Sequence, residues 1–153
     1  MLVDTHAHLD FTDDVDGWID RAKTNGVTKI ICVGTSVEAS RKCVEIADPP
    51  SHMQSHAVLA DAAGLKATEG QGNTPEIYAT VGIHAQDGKE DVEKYGFLSG
   101  CIDELRKIAR SSNKVVGVGE TGFDFKSDEL SDEVKKFQKE LFEAQIKKFG
   151  AER

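Results

Sequence analysis

No stretch of the chain approaches the roughly 20 consecutive apolar residues that a bilayer crossing requires, so no membrane partner is expected. The N-terminus has no basic segment leading into an apolar one, and no secretory signal is expected. Cysteine is scarce. Cys32, Cys43 and Cys101 are an odd number, widely spaced, with no Cys-x-x-Cys pair. That pattern speaks against a disulfide framework or a zinc-thiolate site, and for free thiols in a reducing, cytoplasmic compartment. Positive charge is also in short supply: 19 Lys and Arg stand against 27 Asp and Glu, a formal net charge of −8. Such a balance argues against a sequence-independent grip on phosphate backbones through surface cations. It leaves a nucleic-acid substrate open, because bound metal ions can supply positive charge locally.

What is present is ordinary for a globular protein. The 153 residues, 39% hydrophobic and 30% charged, suffice for one domain with a core, spanning 1–153. Four short β-rich runs stand out: residues 2–5 (LVDT), 29–33 (KIICV), 77–81 (IYATV) and 115–118 (VVGV). The last three are nearly continuous apolar runs, as in strands covered on both faces. Cys32 lies in one of them and is expected in the core. Helical patterns separate the runs. Residues 15–25 follow Asp13 and Asp14 as capping candidates and stop at Gly26; Trp18 and Ile19 on this helix are expected to be buried. Residues 37–47 follow Thr35 and Ser36. Residues 98–110 place Leu98, Ile102, Leu105 and Ile108 at helical spacing. Residues 131–149 open with Ser131, Asp132 and Glu133 and close with Lys147 and Lys148, a charge order that suits the helix dipole.

The order β-α-β-α-β-α-β-α implies an α/β fold with parallel strands joined by right-handed crossovers. Residues 48–75 interrupt it with Pro49-Pro50 and several glycines. A long, partly ordered insertion is expected there, with a short helix near 57–65 and solvated histidines at His52 and His56.

Three motifs fall at the carboxyl ends of the predicted strands, the edge where parallel α/β folds build their sites. The first is Asp4-Thr5-His6-Ala7-His8. Residues two apart in extended backbone point to the same side, so His6 and His8 can share one metal ion. The second is Gly82-Ile83-His84-Ala85. The third is Gly119-Glu120-Thr121-Gly122-Phe123-Asp124. Glu120 follows a run that reads as buried, where a carboxylate is costly unless paired or metal-bound. Glycines on either side let the backbone turn and approach a ligand. Imidazoles with a carboxylate suit Zn, Mn, Fe or Ni, and metal-assisted hydrolysis is the natural reaction class.

The segments DTHAHLD, YATVGIH, VGETGFDF and QKELFEAQ resemble those of the TatD family of metal-dependent deoxyribonucleases, which are amidohydrolase-like TIM barrels. The resemblance runs in order along nearly the whole chain, apart from 48–75. It implies one or two divalent metal ions, with Zn, Mg, Mn, Fe and Ni undistinguished, and DNA as substrate. It implies His6 and His8 as ligands of one metal, and Glu120 as a carboxylate able to bridge two. His84 maps onto the family's Gly-x-His-Pro motif, and Asp124 onto the acid of its Gly-Leu-Asp segment. With Asp4, these two are expected beside the metal or against substrate. Asp10 is expected to be a capping or loop acid. Gln138, Phe142 and Gln145 match the family's Gln-x-x-x-Phe-x-x-Gln helix and are expected to make packing contacts between helix and barrel. Ala85 and Phe123 depart from the family's usual Pro and Leu.

A (βα)8 barrel takes about 250 residues, whereas four βα units are present here. The expectation is therefore the N-terminal half of a TIM-type barrel, with exposed sheet edges that favour self-association or a complementary second-half chain. In the family, further His ligands and an Asp expected to act as base follow in later strands. The catalytic residue itself is therefore unknown, the expected acid lying beyond Arg153. Two other readings stand beside the deoxyribonuclease: a non-catalytic, oligomerising half-barrel or partner of a split enzyme, and another amidohydrolase-like hydrolase acting on an amide or lactone.

Overall fold

A computed structural model describes residues 1–49, 74–126 and 130–150. The expected insertion at 48–75, its short helix, and His52 and His56 lie outside the described residues, apart from the insertion's outermost positions. The chain forms β1 (Leu2–Ala7), a single 3-10 turn at Leu9–Phe11, α1 (Val15–Thr24), β2 (Val27–Val33), α2 (Val37–Ala47), β3 (Glu76–Val81), α3 (Gly88–Tyr95), α4 (Leu98–Ala109), β4 (Val115–Val118) and α5 (Asp132–Gly150). The strands make one parallel sheet in the order β1-β2-β3-β4. This is the parallel α/β arrangement that the alternation predicts, and it fits the TIM-barrel-like fold that the family resemblance implies. No helix among the described residues is long and apolar enough to cross a membrane.

Local chemistry sets the boundaries. Asp14 accepts the amide of Gly17 at the start of α1, and Ser36 accepts that of Ala39 at the start of α2, each at 3.1 Å. These bonds satisfy amides that the first turn leaves without helical partners. The core lies on one side of the sheet. Ile30, Cys32, Ala79 and Val81 from the strands meet Val37 and Cys43 of α2, Leu105 of α4 and Leu141 of α5.

Two expectations about burial fail here. Along β4, Val116 and Val118 are exposed while Val115 and Gly117 are half-buried, so an apolar run is covered on one face only. Leu2 and Val3 on the opposite edge strand are exposed as well. Trp18 is 54% exposed, with the Arg21 guanidinium 5.3 Å from its ring centre, and Ile19 is only half-buried. Helix α1 packs against β2 and the 3-10 turn at Leu9–Phe11, and no residue of α1 is fully buried.

The strand ends are held close by glycine. A Cβ on Gly82 would lie 2.5 Å from the Gly119 carbonyl carbon, and one on Gly34 would lie 2.6 Å from the Ser40 Cα. Neither site has room for a side chain. Gly119, expected to serve close approach to a ligand, has open space where a Cβ would stand.

Candidate metal centre

β1 runs to Ala7, so His6 is the strand's penultimate residue and His8 follows it directly. The register between β1 and β2 is irregular between Asp4 and Ala7. There the Asp4 carboxylate accepts the backbone N–H of His6 at 3.1 Å. Asp4 therefore shapes the backbone that carries the first histidine.

His6 Nε2 lies 3.2 Å from His8 Nε2, and the two lie 3.6 and 3.9 Å from Glu120 Oε2. A circle through three atoms so spaced has a radius of about 2.1 Å, the length of a zinc–nitrogen or zinc–oxygen bond, about 2.0–2.2 Å. His8 Nδ1 lies 3.0 Å from the Val33 carbonyl oxygen. A carbonyl only accepts, so Nδ1 carries the proton, and it is Nε2 that is turned to the cluster, where its lone pair can serve a ligand. His6 Nε2 faces that lone pair, so a proton or a metal ion must mediate between them. Two imidazoles and a carboxylate aimed at one point fit a divalent ion, and the backbone bond that orients His8 is of the kind that supports metal-ligating histidines. The Phe11 ring stacks on His8 with centroids 5.1 Å apart and planes 14° apart. Glu120 is partly exposed, its side chain 36% accessible, so the expectation that it follows a fully buried run is corrected along with β4.

Backbone bonds lace the strand ends together. Gly34 donates to Thr80 O, His84 to Thr35 O, Gly119 to Val81 O, and Glu120 to Gly34 O, at 2.7 to 3.2 Å. Each loop is thereby tied to its neighbour, and Glu120 is brought back towards the β2 end.

The remaining expected residues lie outside the three-atom cluster. His84 accepts the Gln86 amide at Nδ1, at 3.4 Å, and is not part of the group of converging ligand atoms among the described residues. Asp124 is buried, and its carboxylate is occupied by Gln86 Nε2 at 2.7 Å and the Lys126 amide at 3.1 Å. Gln138 bonds both the N–H and the C=O of Asp124, and Gln145 does the same for Ile83. Phe142 packs edge-on against Phe123, centroids 5.3 Å apart. Sequence reasoning missed three supporting groups: the Val33 carbonyl, the Gln86 amide and the Thr121 hydroxyl, which Gln145 reaches at 2.7 Å. For Gln86 and Thr121, only their positions past the strand ends could have signalled them.

Fold and donor set together define the class: a TIM-barrel-like parallel α/β chain with converging His and Glu side chains, of the kinds that can hold a metal ion, at the carboxyl edge of its sheet. Within that class the chain belongs to the TatD related DNase family, whose family model matches residues 3–148. It is 28% identical over 149 residues to a protein of Bacillus subtilis (strain 168) described as the uncharacterized metal-dependent hydrolase YabD, covering 95% of this chain and 45% of that one. It is also similar to the crystal structure of YJJV, a TatD homolog from Escherichia coli K12. The TM-score is 0.58 at 26% identity, over 96% of this chain and 46% of that one. The chain thus spans a little under half the length of the relatives it matches.

Proposed function

We propose that this chain carries the strand-end metal centre of a divalent-metal-dependent hydrolase that cuts phosphodiester bonds of DNA. The observation that carries the proposal is the convergence of His6 Nε2, His8 Nε2 and Glu120 Oε2 at metal-binding separations. A divalent ion held there supplies Lewis acidity, which acidifies water and polarises a phosphoryl oxygen. The chain's own part is positional. His6 and His8 present lone pairs, the Val33 carbonyl fixes the proton of His8 on Nδ1, and Glu120 adds negative charge that holds a cation. Gln145 steadies the loop behind Glu120 through Thr121.

Phosphodiester chemistry is supported by family membership. It is supported too by a cleft of about 330 Å³ lined by Gln86, Lys89, Asp124 and Lys126, where two lysines offer an anion local positive charge. The three free, buried thiols support a reducing, cytoplasmic compartment.

A second reading is favoured by the exposed valines of the edge strands, Val3, Val116 and Val118. In it the chain is non-catalytic by itself, and these open edge strands dock a complementary βα half of the size that the relatives' additional length can supply.

One experiment separates the readings. Purified chain is loaded with Zn²⁺, Mn²⁺ or Mg²⁺, weighed by light scattering and incubated with a labelled oligonucleotide, alongside His6→Ala/His8→Ala. Metal-dependent cleavage by a monomer, lost in the variant, is the expected result of the first reading and rules out the second. Equal divalent metal in both proteins overturns the site assignment.

A further inference from the structure

Away from the histidines, the structure buries a second group of reactive side chains: Asp10, Cys32 and Cys43. Cys32 lies on β2 and Cys43 on α2, and neither has any exposed surface. Their Sγ atoms are 2.9 Å apart. Asp10 Oδ1 is 3.7 Å from the Cys43 sulfur, and the backbone N–H groups of Leu9 and Asp10 donate towards the Cys32 sulfur.

We infer that Cys32 and Cys43 are a peroxide-sensitive dithiol that closes to an intramolecular disulfide. The inference is independent of the hydrolase reading. The alternative for such a group is a metal ion, and the spacing argues against it. Two thiolates on one tetrahedral zinc, each about 2.3 Å from the ion, stand about 3.8 Å apart. At 2.9 Å the sulfurs are too close for that, and closer than ordinary van der Waals contact allows, ~3.5–4.0 Å between carbons. A covalent S–S bond of about 2.05 Å needs a further approach of only about 0.9 Å.

The two thiols are also unequal. The Cys43 thiol and the two backbone amides favour the thiolate of Cys32 and hold it below the usual thiol range, against the opposing effect of burial. Cys43 is pushed up, first by its bond to Cys32 and then by burial. The first proton therefore leaves Cys32, and the thiolate is the nucleophilic form. An open cleft of about 510 Å³ is lined by Asp10, Phe11 and Lys42 among others. Asp10, at its edge, is one contact from the pair.

The chemistry balances with hydrogen peroxide as the oxidant. The Cys32 sulfur attacks one peroxide oxygen, the O–O bond breaks, and a sulfenic acid and one water result. The Cys43 sulfur then attacks the sulfenic sulfur, the S–O bond breaks, and a second water leaves with the remaining thiol proton. Two thiols lose two electrons and peroxide gains them. Cys101 is outside this chemistry: it is buried elsewhere, bonded to the Phe97 carbonyl, and burial raises its thiol to about 11.

The test is mass spectrometry of the purified chain after peroxide treatment, with alkylation in denaturant before and after dithiothreitol. The expected result is loss of two hydrogens per chain and one alkylatable thiol, Cys101. A cross-linked peptide joining Cys32 to Cys43 is also expected, all reversed by dithiothreitol. Cys101→Ser is expected to close equally well, and Cys43→Ser to stop at a dimedone-trapped sulfenic acid on Cys32. If Cys43→Ser does not fold, the wild-type and Cys101→Ser results decide alone. Three thiols still alkylatable after peroxide, a bond that includes Cys101, or irreversible oxidation of Cys32 without cross-linking each overturns the inference.

Discussion

Gln145 holds Ile83 with both ends of its amide: Oε1 accepts the Ile83 N–H and Nε2 donates to the Ile83 carbonyl, each at 3.0 Å. Seven positions, about two helical turns, separate it from Gln138, which treats Asp124 in the same way, at 3.0 and 3.1 Å. Helix α5 thereby pins the segments that follow β3 and β4, one of which carries Glu120. Both glutamines are almost wholly buried, so these bonds are made where water cannot replace them.

Gln145→Leu keeps the apolar bulk and removes both of these bonds, together with the one to the Thr121 hydroxyl. It leaves a buried N–H and a buried C=O unpaired, at about 1–3 kcal/mol for each unsatisfied group. The expected loss in urea unfolding is about 2–6 kcal/mol, with Gln138→Leu in the same range. A loss below about 0.5 kcal/mol, the size of an ordinary surface change, would show that helix α5 does not secure these segments.

The metal centre makes a graded prediction. His6→Ala and His8→Ala each remove a donor and are expected to lower Zn²⁺ affinity by more than about 100-fold, measured by calorimetric titration. Asp4→Ala and Phe11→Ala remove only supports, the amide acceptor under His6 and the ring stacked on His8. They are expected to lose about 10–100-fold or less, as groups around metal ligands do. Equal losses in all four variants would mean that the changes act by unfolding β1 rather than through the ion.

The outer valines give a third measurement. Val116→Thr/Val118→Thr keeps strand propensity on β4 while making its open face polar. If that face drives association, sedimentation velocity is expected to show wild-type chain growing in mass with concentration and the double variant staying monomeric. A wild-type chain that stays monomeric at high concentration, with no added partner, leaves that face to a complementary half rather than to a second copy.

How much of this was legible in the sequence depends on where each signal resides. The four strands and the helices beginning near Val15, Val37, Leu98 and Asp132 could be read because their apolar spacing and caps are local. The burial of β4 could not, because Val-Val-Gly-Val reads the same whether one face or both are covered. Helix α3 escaped notice because GKEDVEKY offers little apolar periodicity. Tertiary contacts hold it instead: Gly88 sits where a Cβ would press to 2.4 Å from Leu141, and Tyr95 reaches Glu38 at 2.7 Å. At the site, His6, His8 and Glu120 announce themselves by residue type and position. The Val33 carbonyl that orients His8 cannot, since a backbone oxygen has no residue-type signature. Gln86 is silent for a different reason: its partner Asp124 lies 38 positions away.

Asp91 carries a pH dependence whose sign can be worked out. On α3 it is 4% exposed, and its Oδ2 accepts the Val37 N–H at the start of α2, at 3.0 Å. Burial pushes its carboxyl above the ordinary 3.8, and the nearby Asp87 and Glu90 add to the rise; the Val37 amide and Lys94 oppose it. The folded chain therefore binds a proton where the unfolded chain has already released one. Stability from this group is present below the ordinary carboxylate range and is lost as pH rises through the raised value. Glu38, Asp103 and Glu104 are held below their usual range, first by bonds to Lys94, Lys148 and Lys107 respectively, and contribute the opposite slope. Asp91→Asn retains those three groups and an oxygen to accept the Val37 amide. The difference between wild-type and variant unfolding curves isolates Asp91. Wild type is expected to lose stability relative to Asp91→Asn from pH 3.8 upward, levelling off above the raised value. Near neutrality the two are expected to lie within about 1 kcal/mol of each other. A difference that is flat with pH, or one that grows on acidification, would mean that the Asp91 carboxyl is not held in its protonated form by the fold.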